Sequence, residues 1–139
     1  MNMNVVLDTN CLIASLSKRG DYFNVWRGLH QGLYTLFVSN EILDEYAEVL
    51  AQKTTPEISD NVIQAIVNSP NVQFIDPYFQ FMLITADKDD NKFVDCAIAA
   101  NASYIVTNDT HFKVLKEISF PKISVLDIKQ FSMLISSLE

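Results

Sequence analysis

The chain is short of the residues that build cross-linked, fibrous or low-complexity proteins. Two cysteines, Cys11 and Cys96, occur in 139 residues. Two cannot make a disulfide framework, and no Cys/His spacing matches a zinc site. Three glycines and four prolines exclude collagen-like or linker-rich organisation. No apolar run approaches the roughly 18 residues needed to span a bilayer. Met1-Asn2-Met3-Asn4 brings no basic stretch ahead of an apolar run that is itself too short for a signal peptide. The expectation is a cytoplasmic, reduced protein without membrane association. Basic residues are scarce too, ten against 17 acids for a formal charge of −7, and they form no run. That counts against generic nucleic-acid binding, whose phosphate contacts rest on Lys and Arg. It is neutral toward a protein whose acids converge on divalent cations.

What is present is a core. Hydrophobic residues make up 49% of the chain, and the length suits a single domain, 1–139, with no internal repeat. Val5-Val6-Leu7 reads as a buried parallel strand that stops at Asp8, with Thr9 and Asn10 suited to opening a helix. Cys11–Leu16 is apolar enough for a first short helix, and helical spacing over Tyr22, Val25, Trp26 and Leu29 marks a second, ending near Gly32. Thr35-Leu36-Phe37-Val38 is the second strand. Ser39 opens a third helix with Ile42, Leu43, Tyr46, Val49 and Leu50 on its apolar face. Thr54-Thr55-Pro56 starts a fourth, running to about Asn68 with Ile58, Val62 and Ile66 apolar. Val72–Ile75 is a short strand, and Tyr78–Ile84 is apolar and ambiguous between strand and helix. A charged loop, Thr85 to Asp90, leads into a small-residue helix from about Asn91. Tyr104–Thr107 and Ile123–Leu126 are the last strands, separated by a short helix over His111–Lys116. Asp127 caps a final helix. The alternation predicts an α/β fold with a central parallel sheet of about five strands and helices on both faces.

Carboxylates stand out at particular places in that order. Asp8 and Asp109 each end a strand, and ligands of open α/β sheets bind outside the carboxyl ends of strands where their order reverses. For Asp8 alone, capping of the next helix is the commoner explanation; the repetition at Val106-Thr107-Asn108-Asp109 shifts the balance. Glu45 lies beside the apolar stripe of its helix, unlike the solvated Glu41, Asp44 and Glu48. Asp95 sits amid Phe93, Val94, Cys96, Ala97 and Ile98, where an unpaired acid is costly. Asp8, Glu45, Asp95 and Asp109, with Asp90 as a fifth, come from elements distant in sequence that a fold could bring together. Such a set suits Mg²⁺ or Mn²⁺ and metal-assisted phosphodiester cleavage.

These residues carry a resemblance. Asp8-Thr9-Asn10, the run Ser39 to Glu45, Asp90-Asn91 with Asp95-Cys96-Ala97, and Val106-Thr107-Asn108-Asp109 resemble the PIN domain. They are most similar to its branch of toxins from type II toxin–antitoxin systems, the VapC-like ribonucleases. The resemblance runs from about Val5 to Ile128. It implies a Mg²⁺- or Mn²⁺-dependent endoribonuclease of single-stranded or structured RNA, held in check by an antitoxin and able to form a homodimer. It matches Asp8, Glu45, Asp95 and Asp109 to the catalytic acids and Asp90 to a further metal ligand. Asn10, Ser39 and Thr107 fall at supporting polar positions. Asn108 departs from the commoner glycine. Lys18, Arg19, Lys88, Lys92 and Lys113, in loops expected near the strand ends, are candidates for RNA backbone contacts. His111 and the two cysteines read as surface and core residues. Two alternatives stay open: a silent PIN-like module that binds RNA or protein, and a phosphatase using Asp8 as nucleophile, for which Asn10 and the missing lysine fit poorly.

Overall fold

The computed structural model describes residues 3–77, 80–84, 88–118 and 122–139, and of Lys88 only the backbone. The sheet contains β1 (Asn4–Leu7), β2 (Thr35–Val38), β3 (Val72–Phe74), β4 (Tyr104–Val106) and β5 (Val125–Leu126). All neighbours are parallel, in the order β3-β2-β1-β4-β5. Helices α1 (Thr9–Ala14) and α2 (Phe23–His30) join β1 to β2. Helices α3 (Asn40–Lys53) and α4 (Pro56–Val67) join β2 to β3. Helix α5 (Asn91–Ala99) precedes β4, and α6 (Ile128–Leu138) closes the chain. Consecutive strand residues point to opposite faces, and Val5, Val6 and Leu7 are all sealed from solvent, as are Leu36, Val38, Ile105 and Val106. Both faces of the sheet are therefore covered, which is why these strands read as continuous apolar runs.

Most boundaries follow local chemistry. The Ser39 and Thr55 hydroxyls accept the Ile42 and Ile58 amides at the starts of α3 and α4, and Asp127 with Gln130 forms a reciprocal capping box at α6. Gly32, at φ +77°, ends α2, with the Leu33 amide donating to the Gly28 carbonyl at 2.9 Å. Asn101 does the same after α5 at φ 50°, with Ala102 donating to Ala97.

Four expectations change. The described end of the charged loop is a 3₁₀ turn, Lys88–Asp90, leading into α5. The segment expected as a short helix over His111–Lys116 is a 3₁₀ helix, Thr110–Glu117. Residues 80–84 form neither strand nor helix; Tyr78 and Phe79 of that apolar stretch, and Thr85, Ala86 and Asp87 of the charged loop, lie outside the described residues. On α4, Ile58 is 44% exposed while Ser59 is buried, its hydroxyl donating to the Ala47 carbonyl at 2.8 Å. The α3–α4 contact is thus close enough that a small residue, not the isoleucine, faces the neighbour. Among the described residues no helix is long and apolar enough to cross a membrane.

Candidate functional site

The chain leaves β1 toward β2 and β3 on one side and later returns to place β4 on the other, so the strand order reverses between β1 and β4. Their register pairs Leu7 with Val106, and the Asp8 amide extends the pairing by donating to the Val106 carbonyl at 2.9 Å. Asp8 and Thr107 are therefore neighbours across the strand ends. The Thr107 hydroxyl donates to Asp8 Oδ2 at 2.7 Å and accepts the Asp109 amide at 3.0 Å. One threonine thus ties the two strand-end acids into a single hydrogen-bonded unit.

Asp8 precedes α1 yet makes no side-chain cap bond to it. The residue is 8% exposed, and its carboxylate is held instead by the Thr107 hydroxyl. Burial pushes its pKa up; the Thr107 hydroxyl and the nearby Asn10 amide pull it down, and the charges of Glu45 and Asp109 raise it again. Glu45 and Asp109 thus both lie close enough to act on Asp8. Glu45 arrives from α3, whose Tyr46 is buried with its hydroxyl donating to the Leu7 carbonyl at 2.5 Å, anchoring the helix to the end of β1. One Glu45 oxygen accepts the Thr9 hydroxyl, and the other accepts Lys92 Nζ at 2.8 Å.

Asp109 Oδ1 accepts the His111 amide at 2.8 Å, starting the 3₁₀ helix, and this turn folds the ring back so that Nδ1 lies 3.2 Å from Asp109 Oδ1 and 3.3 Å from Asp90 Oδ2. Ligand atoms of Asp90, Asp109 and His111 lie within 4.8 Å of one another, close enough to hold a metal ion. Read along the chain, His111 looks like a surface histidine. The clue was its position two residues after a strand-end acid that caps the next turn.

Asp95 is not brought to this group. It is buried, at 6% exposed, and its Oδ1 accepts the Phe81 amide at 3.1 Å. Burial raises its pKa, the Phe81 bond lowers it, and the charge that raises it further belongs to Glu41. The reason is helical geometry. Asp90 ends a short 3₁₀ turn, Lys88–Asp90, and precedes α5 as its N-cap; Asp95 is five residues on, at about 100° per residue, so the two leave the axis roughly 140° apart. Asp95 instead lines a cleft of about 460 Å³ beyond the ends of β2 and β3, with Ser39, Glu41, Asp76, Asp89 and Lys92.

Other expected residues are placed as follows. Asn10 Oδ1 accepts Lys53 Nζ at 2.9 Å. The Ser39 hydroxyl is used as the α3 cap. Lys18, Arg19 and Lys113 are exposed, Lys92 is drawn onto Glu45, and the side chain of Lys88 lies outside the described residues. The Asn108 side chain accepts the Ile128 amide at 3.1 Å, so an asparagine here ties the β4 end to α6. Cys11 and Cys96 are buried, and burial pushes both thiols up to about 12. They behave as core residues.

Comparison with known proteins agrees with this fold. The family model of the PIN domain matches residues 4–111, and the chain belongs to the PIN domain family. Among solved structures it is similar to a chain of the VapBC2 complex of Rickettsia felis bound to a DNA fragment from its promoter. That match has 21% identity and a TM-score of 0.62, over 90% of this chain and 98% of that one. It is also similar to VapBC-1 of nontypeable Haemophilus influenzae, at 18% identity and a TM-score of 0.63 over 91% and 99% of the two chains. The PIN domain endonuclease Utp24 matches at 18% identity and a TM-score of 0.53, over 89% and 84%. No curated protein matches the sequence significantly.

Proposed function

We propose that the protein is a Mg²⁺- or Mn²⁺-dependent endoribonuclease and the toxin of a type II toxin–antitoxin pair. The observation that carries this reading is the meeting of Asp8 and Asp109 through Thr107 at the strand reversal, with Glu45 acting on Asp8 and Asp90 beside Asp109. Carboxylate oxygens from four elements, joined by one imidazole, are the donor set of a hard or borderline divalent cation rather than of zinc in a thiolate site. Asp8, Glu45, Asp90 and Asp109 would hold it, with His111 at the margin. The chemistry such an ion would supply there is activation of water and stabilisation of the oxygen leaving a phosphodiester.

The protein's own contribution is preorganisation. Thr107 orients Asp8 and the amide preceding the Asp109 side chain, Thr9 orients Glu45, and Tyr46 holds α3 to the strand end. Supporting the toxin assignment, structures similar to this chain are VapBC complexes; a cognate antitoxin is the partner we assign, and a homodimer is the expected assembly.

Cleavage of a mixed-sequence single-stranded RNA with Mg²⁺ or Mn²⁺ tests the reading. Wild type should cut only with metal, and Asp8→Asn and Asp109→Asn should each lose cleavage, because asparagine keeps the shape but removes the charge. Equal cutting by all three proteins would refute it. Expression of the wild type should arrest growth, with relief from a co-expressed neighbouring small protein, whereas Asp8→Asn should be harmless.

A further inference from the structure

The acidic group carries its own cation. Lys92, in the first turn of α5, reaches to α3, where its Nζ sits 2.8 Å from Glu45 Oε1; the two side chains are 15% and 24% exposed. The other Glu45 oxygen is taken by Thr9, so donors from two further elements occupy both sides of this carboxylate.

We propose that Lys92 is a displaceable counter-cation, which holds Glu45 in the metal-free protein and releases it when a divalent cation binds, thereby setting the affinity for that cation. The inference rests on the reading of the acidic group as a metal site. Competition follows from distance. A small divalent cation such as Mg²⁺ sits about 2.1 Å from a carboxylate oxygen, so with the ammonium in place two positive charges would meet within a few ångströms in a partly buried site, where repulsion is poorly screened. Lysine suits this role because its ammonium is a point charge on a flexible stem, unlike the forked guanidinium that grips a carboxylate at two points. The ammonium also has somewhere to go. Lys92 borders the cleft lined by Glu41, Asp89 and Asp95, three acids within the sweep of its flexible stem. The cleft and its buried Asp95 thus gain a purpose beside the acidic group.

Two readouts, neither using RNA, test this. Mn²⁺ binding is measured by calorimetry on wild type and Lys92→Met, with Lys92→Gln should the first fail to fold. The Lys92–Glu45 distance is then determined in a crystal structure of the wild type with Mn²⁺ bound. We expect Mn²⁺ to bind Lys92→Met about tenfold more tightly, the order of one charged hydrogen bond, and Nζ to lie beyond hydrogen-bond reach of Glu45 in the Mn²⁺ complex. Unchanged or weaker binding by the variants, with wild type still binding, overturns the inference and leaves the metal site standing. Tighter binding with the ion pair intact in the complex also overturns it, since charge alone would then act. No Mn²⁺ bound by any of the proteins overturns the metal-site reading itself.

Discussion

Replacing Thr107 by valine removes one hydroxyl and almost no volume, and it isolates what ties the two strand-end acids together. The hydroxyl makes two bonds, donating to the buried Asp8 carboxylate at 2.7 Å and accepting the Asp109 amide at 3.0 Å. Thr107 is itself 3% exposed, so water does not readily replace either bond. A hydrogen bond to a charged group is worth about 1.5–3 kcal/mol and a neutral one about 1 kcal/mol. The total is partly offset because Asp8 can take up a proton instead, and a net loss of about 2–3 kcal/mol is expected. For a chain of this size that lowers Tm by roughly 6–12 °C. Thr107→Ser keeps the hydroxyl and should stay within about 1 kcal/mol of wild type. The effect also has a sign in pH. The Thr107 bond favours ionised Asp8, so its contribution is present where Asp8 is charged and is lost as pH falls through the Asp8 pKa. Urea unfolding of the three proteins at pH 7 and pH 4, without metal, measures this. A Thr107→Val protein as stable as wild type at pH 7, or a deficit that grows toward pH 4, would refute the reasoning.

Asp8→Asn should stabilise the metal-free protein at neutral pH, because Asp8 is buried beside Glu45 and Asp109 and its pKa is raised. A carboxylate whose folded pKa lies above its unfolded value favours the fold at low pH and loses that contribution as pH rises through the folded pKa. The advantage of Asn over Asp should therefore shrink on acidification, and thermal melts across pH 4–8 check it. Asp90→Asn should weaken Mn²⁺ binding at least tenfold in a calorimetric titration, while Asp95→Asn should leave it within about twofold, since Asp95 faces the neighbouring cleft; the reverse ranking would restore Asp95 to the group. Asn101→Gly should raise stability by up to about 1 kcal/mol in chemical unfolding, because a non-glycine residue occupies a left-handed position there. Tyr46→Phe should cost about 1–2 kcal/mol by leaving the Leu7 carbonyl without its buried donor.

Much of this architecture was legible along the chain because its causes are local. Uninterrupted apolar runs at Val5–Leu7 and Leu36–Val38 mark strands buried on both faces; Ser39, Thr55 and Asp127 cap helices through bonds spanning three residues; Gly32 stops a helix because it tolerates a positive φ. The alternation of strands and helices predicts the parallel sheet, and acids at two strand ends suggest where a ligand binds. What the order of residues could not contain is proximity. That Asp8 and Asp109 share one threonine follows from β1 and β4 pairing across the reversal, a contact between residues 99 apart. The choice between Asp90 and Asp95 depends on the phase of α5 against the sheet, which composition around Asp95 does not reveal. His111 entered the group because Asp109 turns the chain back on itself, and Lys92 left the surface because Glu45 offered it a partner 47 residues away. Local hydrogen bonding and burial decide which elements form; only the packing of the sheet decides which charges must live together.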